Sequence, residues 1–350
     1  MRLESLTGLR ILLALLVVVA HACFRLGILK QEGWVQDMLS QTGHFGVIGF
    51  FVLSGFIMQN VYAGREWNIK SFTVNRIARI YPIYLCGLLL ALPIDWFSPH
   101  MPSENRPQAL GLSVALLQAW AEFANGRFNG PGWTLSVEAF FYAMFPLLFY
   151  ILRKSPILFA ALFIGAASCT GLLWEAGASY RFPANRLWEF MAGMIGAKVL
   201  DLWPHKRSGA PWWAAVIILM ISFFCGCILM FGIGSNFSGW IVMVIGCWLS
   251  IVILGSADMT TKNPNPLSSK FFILGGELSY GLYLFHDPIQ RYGKVAIEYF
   301  VSMNLENSNT TIKIFYFTST TIASFLAAYI GWLLIEKPSR IYLRNKLGGN

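Results

Sequence analysis

The stretch LTGLRILLALLVVVAHACFR, Leu6 to Arg25, decides the fold. An unbroken apolar run from Ile11 to Ala20 is bracketed by Arg10 and His21. A membrane-crossing helix needs about 20 predominantly apolar residues, and this stretch supplies them with two ionisable groups inside its length. Arg10 and His21 are eleven residues apart, so on a helix they are offset by about 20° and share a face, separated by about 16 Å along the axis. Ionisable groups placed this way must find a partner, water or a chemical task. The run ends in His21, Cys23 and Phe24 without a small-x-small cleavage site, so it reads as a retained first span and not as a signal peptide.

The same apolar character recurs along the chain. Of 350 residues, 56% are apolar and only 12% charged, about half the charged share of a soluble domain. That balance excludes a disordered tail, a coiled coil and an ordinary soluble enzyme. Ten apolar segments can be drawn, at 8–29, 43–63, 78–94, 133–152, 156–176, 185–200, 211–231, 236–255, 271–290 and 314–335. The expected fold is therefore all-α: a single domain over 1–350, with about ten transmembrane helices enclosing a cleft. The six cysteines lie in or beside apolar runs and form neither a CxxC pair nor a His/Cys zinc pattern, so they read as small buried hydrophobes and no metal is expected.

Charge orients the spans. The net charge of +9 comes from basic residues lying between apolar runs, so topology and an anionic ligand account for it better than nucleic acid does. With ten spans and the N-terminus in the cytoplasm, 17 basic residues fall inside and 9 outside. Residues 109–124, ALGLSVALLQAWAEFA, could be an eleventh span, a re-entrant piece or an interfacial helix. An eleventh span would send Arg153, Lys154 and the basic C-terminal tail outward, against the positive-inside rule. The expectation is both termini cytoplasmic, and 95–132 external with an interfacial or re-entrant helix.

The remaining embedded polar groups mark candidate chemistry. Gly43, Gly46, Gly49 and Gly55 of the second span, with Ser54 beside them, allow either close helix packing or room for a ligand. Arg76 and Arg79 share a helical face near Lys70, as phosphate-binding or lipid-anchoring cations do. Glu138, in WTLSVEAFFY (133–142), needs a partner: His21, His286 or a substrate hydroxyl, and Ser136 and Tyr142 could join it, Tyr142 being four residues on and on the same face. Ser279, Tyr283 and His286 form one polar stripe. Glu189 pairs with Arg186 or another neighbour, and Pro338 ends or bends the last helix.

In combination these features resemble acyltransferase family 3, integral membrane O-acyltransferases that modify bacterial surface glycans. The Arg10–His21 pair, FFVLSGFIM at 50–58, Arg76 and Arg79 before IYPIY, Ser136 and Glu138 in WTLSVEAFFY, and the terminal EKP at 336–338 carry the resemblance. It implies a protein of the bacterial cytoplasmic membrane that moves an acyl group, usually acetyl, from cytoplasmic acyl-CoA to a glycan or glycolipid hydroxyl near the outer face. On that reading Arg76, Arg79, Lys70 and Ser54 bind the donor. His21 is the expected base, with Glu138, His286 and Arg10 completing the catalytic set. Membrane lipids are the other expected partner. The competing class is a transporter or flippase of a glycolipid or anionic metabolite.

Overall fold

The computed structural model describes residues 3–28, 33–64, 66–97, 102–177, 179–202, 211–233, 236–259, 265–302 and 304–347. Of the basic residues used in the topology argument, Arg2, Lys30, Arg65, Lys206, Arg207 and Lys262 lie outside them. The described residues are helical throughout apart from turns and short links, as the apolar pattern predicts. The helices are α1 (Glu4–Arg25), α2 (Trp34–Tyr62), α3 (Ile69–Trp96), α4 (Arg106–Val114), α5 (Trp133–Lys154) and α6 (Pro156–Glu175). They continue with α7 (Leu187–Leu202), α8 (Trp212–Ile228), α9 (Asn236–Met259), α10 (Lys270–Val301), α11 (Thr310–Gly331) and α12 (Lys337–Leu347).

Among the described residues, eight helices are long and apolar enough to cross a membrane: α1, α2, α3, α5, α6, α8, α9 and α11. The sixth and ninth of the ten expected segments, α7 and α10, fall short of that standard for different reasons. Helix α7 has 16 residues, about 24 Å of rise against a hydrocarbon core of about 30 Å. Helix α10 is 32 residues long but carries Glu277, Asp287, Arg291, Lys294 and Glu298.

The contacts fix relative directions. Helix α10 runs parallel to α1, because Gly276 meets Thr7 and His286 meets His21. It also runs parallel to α3, through Tyr280 with Ile80 and Arg291 with Asp95. Helices α2, α7 and α9 likewise run together, with Phe51 beside Arg186, His44 beside Trp240, and Phe56 beside Leu200 and Gly255. Each long helix thus points opposite to the one before it wherever contacts define both. One end of the bundle gathers the starts of α1, α3 and α10 with the ends of α2, α5 and α11; the other gathers their opposite termini.

Packing answers the question left by the second-span glycines. A Cβ on Gly55 would overlap the carbonyl oxygen of Phe190, and one on Gly193 would overlap that of Val52. The glycines let α2 and α7 backbones touch, while Ser54 beside them faces a cleft.

Residues 109–124 do not form one helix. Helix α4 stops at Val114, Leu116 takes a left-handed conformation (φ 58°), and short 3-10 turns come next at Gln118–Trp120 and Glu122–Ala124. Tyrosines of α3 pin this segment to the bundle. Tyr81 donates to Val114 O (2.9 Å) and Tyr84 to Ser113 O (2.7 Å), while Gln118 Nε2 donates to Gly132 O (2.7 Å). Pro338 does not stop the last helix either. A π-helical turn at Trp332–Glu336 carries α11 into α12, with Pro338 in the first turn of α12, where a missing N–H is tolerated.

Candidate active site

Parallel packing of α1 on α10 brings two of the predicted residues together. His21 Nδ1 and His286 Nε2 are 2.8 Å apart and the rings stack at 5.0 Å. The hydrogen-bond pattern assigns the tautomers. His286 Nδ1 lies 3.1 Å from the Leu282 carbonyl oxygen, which can only accept, so His286 carries its proton on Nδ1. Neutral His286 then offers a lone pair at Nε2, His21 donates to it from Nδ1, and the His21 Nε2 lone pair is left free. His286 is fully buried, whereas the His21 side chain is 36% exposed. An accessible imidazole lone pair, oriented through its other nitrogen by a buried partner, is the arrangement of a general base.

The pair is held by a polar network that the sequence pattern does not single out. Arg25, one turn beyond His21, donates to Asp287, to Gln290 Oε1 (2.8 Å) and to the His21 carbonyl (3.2 Å). Gln290 donates to Val18 O (3.2 Å), and Tyr316 of α11 donates to Gln290 O (3.0 Å). Arg291 bonds Asp95 of α3 (2.8 Å). Asp95 also accepts the Asn129 N–H (3.2 Å), and Asn129 Nδ2 donates to Leu284 O (2.9 Å). Buried charges kept in hydrogen-bonded pairs rigidify a site, and removal of one partner is strongly destabilising. The signal available in sequence is FHDPIQR (285–291), which sets Asp287, Gln290 and Arg291 at helical spacing beside His286.

A narrow cleft of about 80 Å³ lies on the α1-start side of the histidines. Arg10, Ser54, Arg76, Arg79, Glu138 and Tyr142 supply most of its polar lining, with Ser279, Tyr280 and Tyr283 from α10. Glu138 accepts from the Tyr142 hydroxyl and from Ser54 Oγ (3.4 Å). Its partners are therefore neither His21 nor His286. The sequence places Glu138 just inside the far end of its span, and the α5 helix carries it down to the arginines. The Arg76 guanidinium sits over the rings of Tyr142 (5.7 Å), Tyr62 and Phe72 (both 5.9 Å). Tyr283 connects the two clusters. It lines the cleft, shares a 3.0 Å hydrogen bond with Thr134, and its ring lies 6.0 Å from that of His286, one helical turn further along.

Arg76 and Arg79 also line a wider chamber of about 560 Å³ at the end of the bundle where α1 begins. Lys70 does not join them: it is exposed in the first turn of α3 and lines neither cavity. Asn68 caps that turn through Ser71 N–H (2.7 Å), so α3 starts nine residues earlier than expected and carries Lys70 away from the cleft. Glu189 pairs with Arg186 at 3.0 Å and accepts from Trp240 Nε1 at 2.7 Å. That fully buried pair ties α7 to α9, apart from the cleft.

Comparison with known proteins finds acyltransferases. The family model described as "Acyltransferase domain" matches residues 3–333. The chain is 28% identical to acyltransferase MdmB of Streptomyces mycarofaciens over 320 residues, 83% of this chain and 80% of that protein. It is 25% identical to peptidoglycan O-acetyltransferase OatA of Listeria monocytogenes over 374 residues, 96% of this chain and 55% of that protein. It is 23% identical to O-acetyltransferase OatA of Staphylococcus aureus over 367 residues, 97% of this chain and 57% of that protein. The chain thus spans just over half the length of the two OatA proteins. No solved structure matches. The chain belongs to acyltransferase family 3 and is an integral membrane acyltransferase.

Proposed function

We propose that this protein transfers an acyl group, most simply acetyl, from cytoplasmic acyl-CoA to a hydroxyl of an envelope or exported glycan. The observation that carries the reading is the order of the cavities. A cation-lined chamber opens at one end of the bundle, narrows past Arg76, Arg79 and Arg10, and leads to Tyr283, one turn from His286, which is hydrogen-bonded to His21, the histidine with the free lone pair. That order suits a donor with an anionic nucleotide head and a thin thioester arm. The names of the OatA relatives support acetyl as the group and a cell-wall glycan as the acceptor class.

Ten crossings with both termini in the cytoplasm accompany this reading, in the bacterial cytoplasmic membrane. Alternating helix directions support counting α7 and α10 among the crossings, and the basic-residue split supports the orientation. Donor and acceptor then approach from opposite ends, the acceptor from the side of 95–132.

In the reaction, the acceptor hydroxyl gives its proton to His21 Nε2 as its oxygen attacks the thioester carbonyl. The tetrahedral intermediate collapses with C–S cleavage, and the imidazolium returns the proton to the departing CoA thiolate. His286 fixes the His21 tautomer and accepts from the imidazolium through Nε2. Arg25 and Asp287 position the pair. Arg10 lines the path of the donor's pantetheine arm, and Glu138, held by Tyr142 and Ser54, balances the arginines and aligns them. Mass analysis of envelope glycans from cells with and without the protein tests the function. A mass increment of one acetyl group that appears only with the protein is expected; identical glycans in both would overturn the acceptor class.

A further inference from the structure

The chamber at the α1-start end has two walls. On one, α3 presents Arg76 and Arg79. The other is the C-terminal helix α12, which presents Lys337 and Arg340 and is joined to α11 through Trp332. The α12 wall exists because the chain does not stop at the membrane end of α11. The π-helical turn at Trp332–Glu336 carries the helix on into α12; such turns cluster at functional positions. Lys337 lies over the Trp332 ring at 5.4 Å. Arg340 reaches Glu336 only at 3.6 Å, its side chain is 54% exposed, and it lines the chamber. Glu336 is itself buried, and its Oε2 has no hydrogen-bond partner. A buried carboxylate set this way holds Arg340 in place without consuming its donors.

Charge and shape then define the occupant. Four cations, Arg76, Arg79, Lys337 and Arg340, line the chamber against two carboxylates, Glu66 and Glu277. The aromatic residues Tyr62, Trp67 and Trp332 share the same walls, with Arg76 over the Tyr62 ring and Lys337 over the Trp332 ring. Guanidinium and ammonium groups bind phosphate through charge-assisted hydrogen bonds, and flat aromatic faces stack on bases. Cations alone would equally suit a lipid phosphate. The aromatic walls and the continuity with the cleft through Arg76 and Arg79 favour a nucleotide.

We infer that α12 is the second wall of a nucleotide chamber, in which Lys337 and Arg340 hold phosphates of the acyl donor opposite Arg76 and Arg79. Transfer therefore depends on the nucleotide half of acyl-CoA and not on the thioester arm alone. The inference rests on acyl-CoA being the donor.

The test compares acetyl-CoA with S-acetylpantetheine, which has the same thioester arm and no phosphate, as donors for the purified full-length protein. Wild type is expected to use acetyl-CoA at a much lower KM. The double variant Lys337→Gln/Arg340→Gln is expected to raise the KM for acetyl-CoA about tenfold or more, the scale of a lost charge-assisted hydrogen bond, with kcat and the KM for S-acetylpantetheine little changed. Both side chains are exposed, so the fold should tolerate the change. An unaltered acetyl-CoA preference in the variant would overturn the α12 assignment and leave the cations to lipid phosphate. Equal losses with both donors would overturn it as well, because they report structural damage. Failure of wild type to use either thioester would instead remove the donor reading on which the inference rests.

Discussion

His21→Gln is expected to lower the transfer rate by roughly 10²–10⁴-fold, the range of general-base catalysis, while the protein stays folded and still binds CoA. Glutamine keeps a hydrogen bond toward His286 but has no titratable lone pair to take the acceptor proton. The expectation rests on the tautomer chain from Leu282 O through His286 to His21, which leaves His21 Nε2 free. If His21 only tied α1 to α10, glutamine would preserve most turnover, and alanine would lower stability and activity together. Turnover measured beside thermal melting in detergent separates the two outcomes. Near-wild-type turnover of His21→Gln would remove the base assignment.

Arg76→Ala combined with Arg79→Ala is expected to give the second-largest effect, a loss of CoA affinity of about 100-fold or more. Each guanidinium faces both the chamber and the cleft, so both stand where the phosphate head and the thioester arm of the donor meet. A charge-assisted hydrogen bond contributes about 1.5–3 kcal/mol, or roughly tenfold or more in affinity per arginine. Arg76 packs over three aromatic rings, so lysine substitutions, which keep charge but lose the planar fork, are the milder comparison. Calorimetry with CoA reads the affinity directly. Unchanged binding in a folded double variant would take these arginines out of the donor site.

The physics of helices sets how much of the site is legible in the sequence. Spacing shows which residues share a face, so Arg10 with His21, and Arg76 with Arg79, are legible as pairs. Hydropathy shows which segments prefer lipid, and the apolar runs match helices. Neither reports which helices become neighbours. Depth alone therefore points Glu138 toward the histidines; the i+4 spacing to Tyr142 is legible, but the Ser54 contact from α2 is not. Lys70 looks equivalent to Arg76 and Arg79 by proximity along the chain, yet the Asn68 cap starts α3 early and leaves Lys70 exposed. Asp287 and Gln290 do not stand out because their partners, Arg25 and Val18, are more than 260 residues away. The expected count of ten rests on apolar runs, and α10 shows why such counting strains: its network charges are what the site requires and what lowers its hydropathy. The α12 wall is hidden because Pro338 reads as a helix stop, and only the π turn before it shows that the helix goes on.

Transfer runs across the bundle in the proposed reaction, with donor and acceptor entering from opposite ends. The most direct measurement uses vesicles containing the protein in one known orientation, reported by cysteine labelling at Asn68→Cys and Asn105→Cys, which should label from opposite sides. Acetyl-CoA is supplied on the Asn68 side only and a soluble oligosaccharide acceptor on the Asn105 side only. Acetylated oligosaccharide is expected in this arrangement and none when the two substrates are exchanged. Product formed only when both substrates share one side, or when acetyl-CoA is on the Asn105 side, would contradict transfer across the bundle.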